Sequence, residues 1–215
     1  MFYEFCRQIA RFFMRALFRL EVHGVANVPP TGGFLLVANH TSYLDVMLVG
    51  SRVRRHLHYL AKSDLFGTPV LGRLVRALNT HPIRRGGLDR EGMRRCADLM
   101  RRGGIVLIFP EGTRSPDGNL QAAKPGVAMI AALAGVRCIP AYVDGGFRAW
   151  PRQRRLPRLT KIHVYYGEPF DLPPRREGMA TKEHYRLCAE EMMRRIAALR
   201  PNACGSPATP RQEFK

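Results

Sequence analysis

The amino-acid sequence predicts an α/β fold in which a mostly parallel, twisted sheet is flanked by helices. After a turn at Pro29 and Pro30, short apolar segments alternate with segments of helical periodicity, as in strands joined by crossover helices. Residues 105–109 form an uninterrupted apolar run, which is typical of a strand buried on both faces. The 215 residues fit one domain, and the sequence contains no internal repeat.

Residues 1–22 form a separate N-terminal segment, with an amphipathic helix predicted over residues 1–20. One side of this helix is apolar and rich in aromatic residues: Phe2, Phe5, Ile9, Phe12, Phe13, Leu17 and Leu20. Another side carries an arginine at every fourth position: Arg7, Arg11, Arg15 and Arg19. This pattern is typical of a helix in a membrane interface, although a helix packed on its own domain has the same periodicity. Because Glu4 is the single acidic residue of the predicted helix at 1–20, the composition favours the membrane.

The remaining elements are predicted from local periodicity. Predicted strands cover residues 33–38, 58–61, 81–84, 105–109, 138–143 and 161–166. The last of these alternates apolar and polar residues, whereas the first and the fourth are apolar runs. Predicted helices cover residues 42–54, 66–78, 89–102, 122–134 and 182–199. Residues 201–215 are rich in proline, alanine and small polar residues, and we expect a disordered tail there.

Charge and cysteine content limit the kinds of protein to consider. Lys and Arg number 35 against 17 Asp and Glu, which gives a formal net charge of +18. Such a surplus attracts nucleic acid, an anionic membrane surface or an acidic protein. The five cysteines are scattered without a CxxC pair, which argues against a disulfide framework and against a zinc site. No window holds the roughly twenty apolar residues that cross a bilayer, and no secretory signal precedes the domain. We therefore expect a cytosol-facing chain that does not span the membrane.

A candidate acid–base pair lies where the apolar strand at 33–38 gives way to a helix. Ligand sites in open α/β sheets gather at the carboxyl ends of strands, which is where His40 falls. An imidazole there can act as a general base if a carboxylate holds its other nitrogen. Asp45 can do so only if His40 lies in the turn before the helix. The alternative is that Asp45 simply stabilises the first turn of the helix through its dipole.

A second candidate segment, residues 109–115, directly follows the buried strand. Gly112 allows the backbone to approach a ligand closely, and Arg114 offers a bidentate fork suited to phosphate. Glu111 can accept a hydrogen bond from a hydroxyl or orient a base. Alternatively, the segment is a turn in which Glu111 and Arg114 pair with each other.

Together these two segments resemble the motifs of the glycerolipid acyltransferases, the family that contains the lysophosphatidic acid acyltransferases. The first family motif, Asn-His-x-Ser-x-x-Asp, is met by Asn39, His40, Ser42 and Asp45. The third, Phe-Pro-Glu-Gly-Thr-Arg-Ser, is met at residues 109–115. Residues 61–66, 82–85, 139–141, 149–152 and 167–169 are similar to further family segments. The resemblance covers residues 24–170, and it identifies residues 23–200 as an acyltransferase domain.

The resemblance implies transfer of a fatty acyl group to the sn-2 hydroxyl of 1-acyl-glycerol-3-phosphate, which makes phosphatidic acid. His40 would be the general base and Asp45 would orient it. The implied substrate-binding residues are Lys62, Arg85, Glu111, Gly112, Thr113 and Arg114. Among these, the cationic side chains would hold the phosphate, with Arg84 as the alternative to Arg85, and Glu111 and Gly112 would position the glycerol. The co-substrate would be an acyl thioester of acyl-carrier protein or of coenzyme A. No metal or other cofactor is implied.

The stretch at residues 145–167 mixes six Lys and Arg residues with aromatic and leucine side chains, and it contains no Asp or Glu. This mixture suits an anionic lipid surface best, before a solvated face and then nucleic acid. We therefore expect peripheral attachment to the cytoplasmic face of the inner membrane, and no nucleic-acid partner. Alternative functions are acylation of another lysolipid, such as a lyso-ornithine lipid or a lysophospholipid, and a basic nucleic-acid-binding protein. The remaining histidines, among them His23 and His163, have no motif partners and are interpreted as structural or exposed.

Overall fold

Residues 2–83 and 89–201 are described by the computed structural model, and they contain one seven-stranded sheet. Its strands are β1 (Glu21–His23), β2 (Phe34–Ala38), β3 (Leu57–Lys62), β4 (Thr80–Ile83), β5 (Ile105–Ile108), β6 (Cys138–Asp144) and β7 (His163–Tyr166). The order across the sheet is β1-β7-β6-β2-β5-β3-β4, and neighbours are parallel except for the pair β6 and β7. The predicted fold class is confirmed.

Helices cover both faces of this sheet. They are α1 (Phe2–Phe18), α2 (Asp45–Gly50), α3 (Pro69–Ala77), α4 (Arg90–Arg101), α5 (Pro125–Ala134), α6 (Gly146–Ala149) and α7 (Thr181–Ala197). Short 3₁₀ helices lie at Val25–Asn27 and Ser63–Gly67. Leu35 and Val37 of β2 pack with α4, α5 and α7, whereas Leu36 and Ala38 pack with α1 and α2. Alternation along the central strand therefore divides the core into two layers.

The registers bring three strand ends to one edge of the sheet. Val37 of β2 pairs with Ile108 of β5 on one side and with Pro140 of β6 on the other. All five residues of β2 are buried, because the strand is central and covered on both faces. The segments that follow β2, β5 and β6 consequently emerge side by side. Because β7 runs antiparallel to β6, it begins at this same edge.

Some predicted boundaries are wrong, for identifiable reasons. The helix predicted at 42–54 is only α2, because the chain before Asp45 is folded into a turn and the helix ends at Gly50. The helix predicted at 122–134 begins at Pro125, as expected for a proline in the first helical turn. Neither β1 nor α6 was predicted, since elements of three and four residues are too short for periodicity to detect. The tail predicted at 201–215 lies outside the described residues except for Pro201.

Helix α1 packs on the domain through one face and exposes another. Tyr3, Met14 and Phe18 are buried, while two arginine side chains, Arg7 and Arg11, donate to backbone carbonyls in the segment after α2. The opposite aromatic side is exposed: Phe2, Phe5, Ile9, Phe12, Phe13 and Leu17. The interpretation as a helix packed on its own domain therefore holds for one face, and membrane contact of the exposed aromatic face stays a prediction. Within residues 2–83 and 89–201, no helix is long and apolar enough to cross a membrane.

Candidate active site

Asn39 fixes the start of the segment that follows β2. Its side-chain amide donates to the carbonyl of Val143 over 3.1 Å, and its amide oxygen accepts from the N–H of Val143 at 2.7 Å. The two bonds continue the pairing of β2 with β6 beyond the last backbone pair. His40 therefore lies at a defined position just after the carboxyl end of β2.

His40 and Asp45 are in contact, as the sequence predicted. The Nδ1 atom of His40 lies 2.9 Å from Oδ2 of Asp45, whose side chain is fully buried. The same oxygen accepts the backbone N–H groups of Thr41 at 2.6 Å and Ser42 at 2.7 Å. These bonds hold residues 40–44 as a turn, and Asp45 is the first residue of α2. The two side chains can meet because His40 precedes the helix.

The imidazole of His40 is oriented from two sides. Asp45 takes Nδ1, and the ring stacks on Phe109 with 4.0 Å between centroids and 15° between planes. The side chain is 19% exposed, so solvent and ligands can reach part of it. Nε2 is then the nitrogen that can exchange a proton with a substrate.

Glu111 joins the segment after β5 to the turn at residues 40–44. Its Oε1 accepts the backbone N–H of His40 at 2.8 Å, and its Oε2 accepts that of Gln121 at 3.2 Å. The backbone N–H of Ser115 donates to the carbonyl of His40 over 2.7 Å. Burial raises the pKa of Glu111 to about 7, although these N–H groups act in the opposite direction. The carboxyl is thus engaged with backbone, and the alternative Glu111–Arg114 pair does not form.

Gly112 and Thr113 form the top of the turn after β5. Gly112 has a φ of 69° and donates its N–H to the carbonyl of Phe109 at 2.9 Å. A Cβ atom on Gly112 would lie 3.0 Å from the Lys124 side chain. The positive φ therefore favours glycine, whereas a Cβ atom would need only a small shift of the flexible Lys124 side chain. The hydroxyl of Thr113, which is exposed, bonds the neighbouring carbonyl of Arg114 at 3.2 Å.

Arg114 lies over the aromatic ring of Tyr43, a contact that the sequence did not predict. Its guanidinium carbon lies 3.5 Å from the centroid of the Tyr43 ring, and its Nη1 is buried without a hydrogen-bond partner among the described residues. The Tyr43 ring in turn contacts the Trp150 ring, with 5.3 Å between centroids. The carbonyl of Trp150 accepts from the N–H of Tyr43 at 3.2 Å and from the hydroxyl of Ser42 at 3.0 Å. The only hint of this contact in the sequence is Tyr43, an aromatic residue inside the first motif.

Of the other two predicted cations, only Lys62 lies within the described residues, and it is further from this arrangement. Lys62 is the last residue of β3, which is separated from β2 by β5, and its half-exposed ammonium pairs with Asp64. Arg85, like its alternative Arg84, lies outside the described residues. The predicted site residues that the structure brings together are therefore those of the two motifs.

One cleft borders the turn at residues 40–44, and a second cleft adjoins the first. One of about 210 Å³ is lined by residues that include Asn39 and Thr41, and by Arg148. The other, of about 480 Å³, shares Phe147 and Arg148 with the first. It is further lined by Pro151, Arg154, Arg158, Leu159 and Thr160. This second cleft combines arginine and apolar side chains, which suits an anionic amphiphile.

Comparison with known proteins identifies the family. A family model described as acyltransferase matches residues 19–144. A chloroplastic 1-acyl-sn-glycerol-3-phosphate acyltransferase of Arabidopsis thaliana is 30% identical over 139 residues, which are 62% of this chain and 38% of that protein. The enzyme of that name from Bacillus subtilis is 27% identical over 169 residues, with 78% and 81% covered. A lyso-ornithine lipid O-acyltransferase of Pseudomonas aeruginosa is 33% identical over 137 residues, with 63% and 51% covered.

A solved structure agrees with this result over almost the whole chain. The 1-acyl-sn-glycerophosphate acyltransferase of Thermotoga maritima superposes with a TM-score of 0.72 at 27% identity, covering 95% of this chain and 83% of that one. The chain spans less than half the length of the plant relatives it matches but most of the bacterial ones from B. subtilis and T. maritima. On the family match, the fold and both motifs, this chain belongs to the glycerolipid acyltransferase family.

Proposed function

We propose that this protein transfers a fatty acyl group from a thioester to the sn-2 hydroxyl of 1-acyl-glycerol-3-phosphate, making phosphatidic acid. The contact between His40 and Asp45 is the observation that carries the proposal. A neutral imidazole whose Nδ1–H is held by a buried carboxylate has its other nitrogen free to take a proton. The names of the Arabidopsis, Bacillus and Thermotoga relatives support this acceptor.

In the proposed reaction, Nε2 of His40 takes the proton of the acceptor hydroxyl as its oxygen attacks the thioester carbonyl carbon. Asp45 stabilises the imidazolium that forms. The tetrahedral intermediate then collapses with cleavage of the carbon–sulfur bond, and the departing sulfur takes the proton from His40. The products are the new ester and the free thiol. The transfer is direct, and no acyl-enzyme is formed, so Ser42 serves structure by bonding the carbonyl of Trp150.

Arg114 is the proposed main ligand of the acceptor phosphate, with Arg85 and Lys62 as further cations. The guanidinium of Arg114 is fixed by the Tyr43 ring, while its Nη1 has no hydrogen-bond partner among the described residues. A planar fork with an unused donor suits a phosphate oxygen. Gly112 and Thr113 form the adjacent turn, which leaves them close to the glycerol of a bound acceptor. Glu111 supports the site indirectly, because its carboxylate accepts the backbone N–H of His40 and so fixes that backbone.

We also propose that the protein works on an anionic membrane surface, as a peripheral protein on the cytoplasmic face of the inner membrane. Residues 150–162, between α6 and β7, are here called the basic loop. The exposed aromatic side of α1 and the exposed Leu156 and Leu159 of the basic loop offer apolar contact. The net charge of +18 favours anionic lipid, where each cation close to the surface contributes about 1 kcal/mol. Acyl-carrier protein and coenzyme A remain the two candidate donors, and both are anionic. Nucleic acid is not proposed as a partner.

A second candidate acceptor is a lyso-ornithine lipid. The similarity to the P. aeruginosa lyso-ornithine lipid O-acyltransferase, at 33% identity, favours it specifically. The catalytic pair would act identically on that hydroxyl, whereas the phosphate contact of Arg114 would be absent.

A panel assay tests the proposal. Purified protein is incubated with lysophosphatidic acid, lyso-ornithine lipid or a lysophospholipid, each with acyl-carrier-protein and coenzyme A thioesters. We expect ester formation with lysophosphatidic acid, lost in His40→Ala and kept in His184→Ala. His184 lies on α7, which packs on the face of the sheet opposite α2, so it is a matched control. Full activity of folded His40→Ala, or exclusive use of another acceptor, would contradict the proposal.

A further inference from the structure

Three side chains that no motif accounts for converge at the edge of the sheet where β1 meets β7. Glu21 pairs in register with His163, and His23 pairs with Tyr165. Glu21 and His23 are two residues apart in β1, so they share one face of the strand. We call Glu21, His23 and His163 the edge cluster. Its ligand atoms, one from each residue, all lie within 4.8 Å of one another.

Two distances in the edge cluster match those between ligands around one ion. Nε2 of His23 lies 3.3 Å from Nδ1 of His163, and Oε2 of Glu21 lies 3.4 Å from the same Nδ1. Nitrogen and oxygen ligands bound at about 2.0–2.2 Å to a tetrahedral ion are separated by roughly 3.4 Å. No large movement of the side chains is needed to bring the three atoms into a coordination sphere.

Proton sharing alone satisfies this arrangement poorly. Nδ1 of His163 faces both a nitrogen and a carboxylate oxygen, and it carries at most one proton. If that proton bonds one neighbour, the other presents a lone pair to the same atom; if both histidines are protonated, two positive charges lie side by side. One cation accepts all three lone pairs at once.

Glu21 is suited to be the charged ligand. Lys161 donates to Oε1 of Glu21 over 2.7 Å, and this contact holds the carboxylate in place. The second oxygen faces His163. Glu21 is about half exposed, which leaves room for water in a fourth position. Lys161 also adds a positive charge nearby, so binding will be weaker than in a closed structural site.

We propose that the edge cluster binds a divalent transition metal of the zinc type. Two imidazoles and a carboxylate are ligands that zinc, nickel and copper accept, and they disfavour calcium and magnesium, which take oxygen. This goes beyond the sequence-based expectation of no metal, because the ligands come from segments about 140 residues apart and show no ligand spacing in the chain. None of its residues belongs to the His40 site, since β6 lies between β2 and β7, and the proposal does not depend on acyl transfer.

The position of the edge cluster gives the ion a structural consequence. The backbone N–H of Ile162 bonds the carbonyl of Phe18 at 3.1 Å, and that of Glu21 bonds the carbonyl of Ile162 at 3.0 Å. The cluster therefore lies where the chain leaving α1 meets the chain leaving the basic loop. A bound ion links these two segments, and because it binds the folded chain it raises the unfolding temperature.

Calorimetric titration of the purified full-length chain with Zn²⁺ alone tests the proposal. We expect one site per chain, and His23→Gln or His163→Gln should weaken Zn²⁺ binding by about tenfold or more, since even outer-shell changes cost 10–100-fold. Glu21→Gln should act in the same direction. Matched controls are His56→Gln and Cys6→Ser, which remove other accessible ligands and should leave the affinity unchanged.

A second measurement separates binding from loss of folding. Zn²⁺ should raise the unfolding temperature of the wild type and of the two controls, and this rise should disappear in the His23→Gln/His163→Gln double variant. Circular dichroism without metal shows whether that variant is folded. Absence of Zn²⁺ binding by the wild type, or equal binding by the folded double variant, would overturn the proposal.

Discussion

One carboxylate oxygen of Asp45 accepts three hydrogen bonds, from the imidazole of His40 and from the backbone N–H groups of Thr41 and Ser42. The same contacts therefore shape the turn and orient the imidazole of His40. A fully buried carboxylate is stable only when its bonds are made, so the turn and the charge support each other. This double role links folding of the segment to the orientation of the imidazole.

Asp45→Asn should remove the orienting charge while keeping the size of the side chain. Its amide oxygen can still accept a backbone N–H, so we expect a folded protein with kcat lower by roughly 10³–10⁴-fold, as for the equivalent change in a serine-protease triad. Steady-state kinetics with the best acceptor measures this, with thermal unfolding as the control. A folded variant with wild-type kcat would show that His40 does not need the carboxylate.

Glu111 should make stability depend on pH. Its pKa in the fold is about 7, above its ordinary value of 4.5, so between these values the native state holds more protons than the unfolded state. The free energy of unfolding should therefore fall as pH rises through this window, by up to about 1.4 kcal/mol per pH unit. Urea unfolding at several pH values measures the slope. Glu111→Gln should flatten it, and an unchanged slope in that variant would assign the effect to another group.

The ring of Tyr43 should act through Arg114. Tyr43→Leu removes the cation–π contact, and we expect the KM for the phosphate-bearing acceptor to rise by roughly threefold to tenfold with kcat little changed. Tyr43→Phe keeps the ring and should restore the KM. A purely structural role would instead lower the activity of both variants together with the unfolding temperature.

At the scale of elements, strong periodicity made the long helices and buried strands predictable. Residues 105–109 and the charged helix at 89–102 were found nearly to the residue, because their patterns are continuous. The start of α2 was missed because the carboxylate of Asp45 folds the preceding residues into a turn, and that contact is absent from any hydropathy pattern. The motif itself nevertheless indicated where His40 had to lie.

Helix α1 gives an element-scale prediction about membrane binding. Phe5 and Phe12 are 64% and 67% exposed, so Phe5→Ser/Phe12→Ser should weaken binding to anionic vesicles without destabilising the fold. Flotation with phosphatidylglycerol-containing vesicles measures this. Phe18→Ala, from the buried face of the same helix, is the contrast and should cost about 3–5 kcal/mol of stability. Unchanged flotation of the first variant would exclude this face as the membrane contact.

At the scale of the whole molecule, the sheet order brings distant segments to one edge. His40, Glu111 and Trp150 follow or adjoin β2, β5 and β6, and these strands are neighbours. The sequence predicted that strand ends would gather there, and the resemblance named the motif residues. Neither could reveal the contact between the Trp150 and Tyr43 rings, the buried backbone contacts of Glu111, or the edge cluster. Those features depend on side-chain packing between segments far apart in the chain.

Both backbone hydrogen-bonding groups of His40 are held in place. Its N–H donates to the carboxylate of Glu111, and its carbonyl accepts from the N–H of Ser115. Only the side-chain torsions of this residue are left to vary, and Asp45 and Phe109 restrict those as well. The entropy of aligning the proposed base is therefore lost once, when the chain folds, and not again in each turnover. Each turnover begins with the imidazole already oriented, so reorganisation of the protein should add little to the activation free energy.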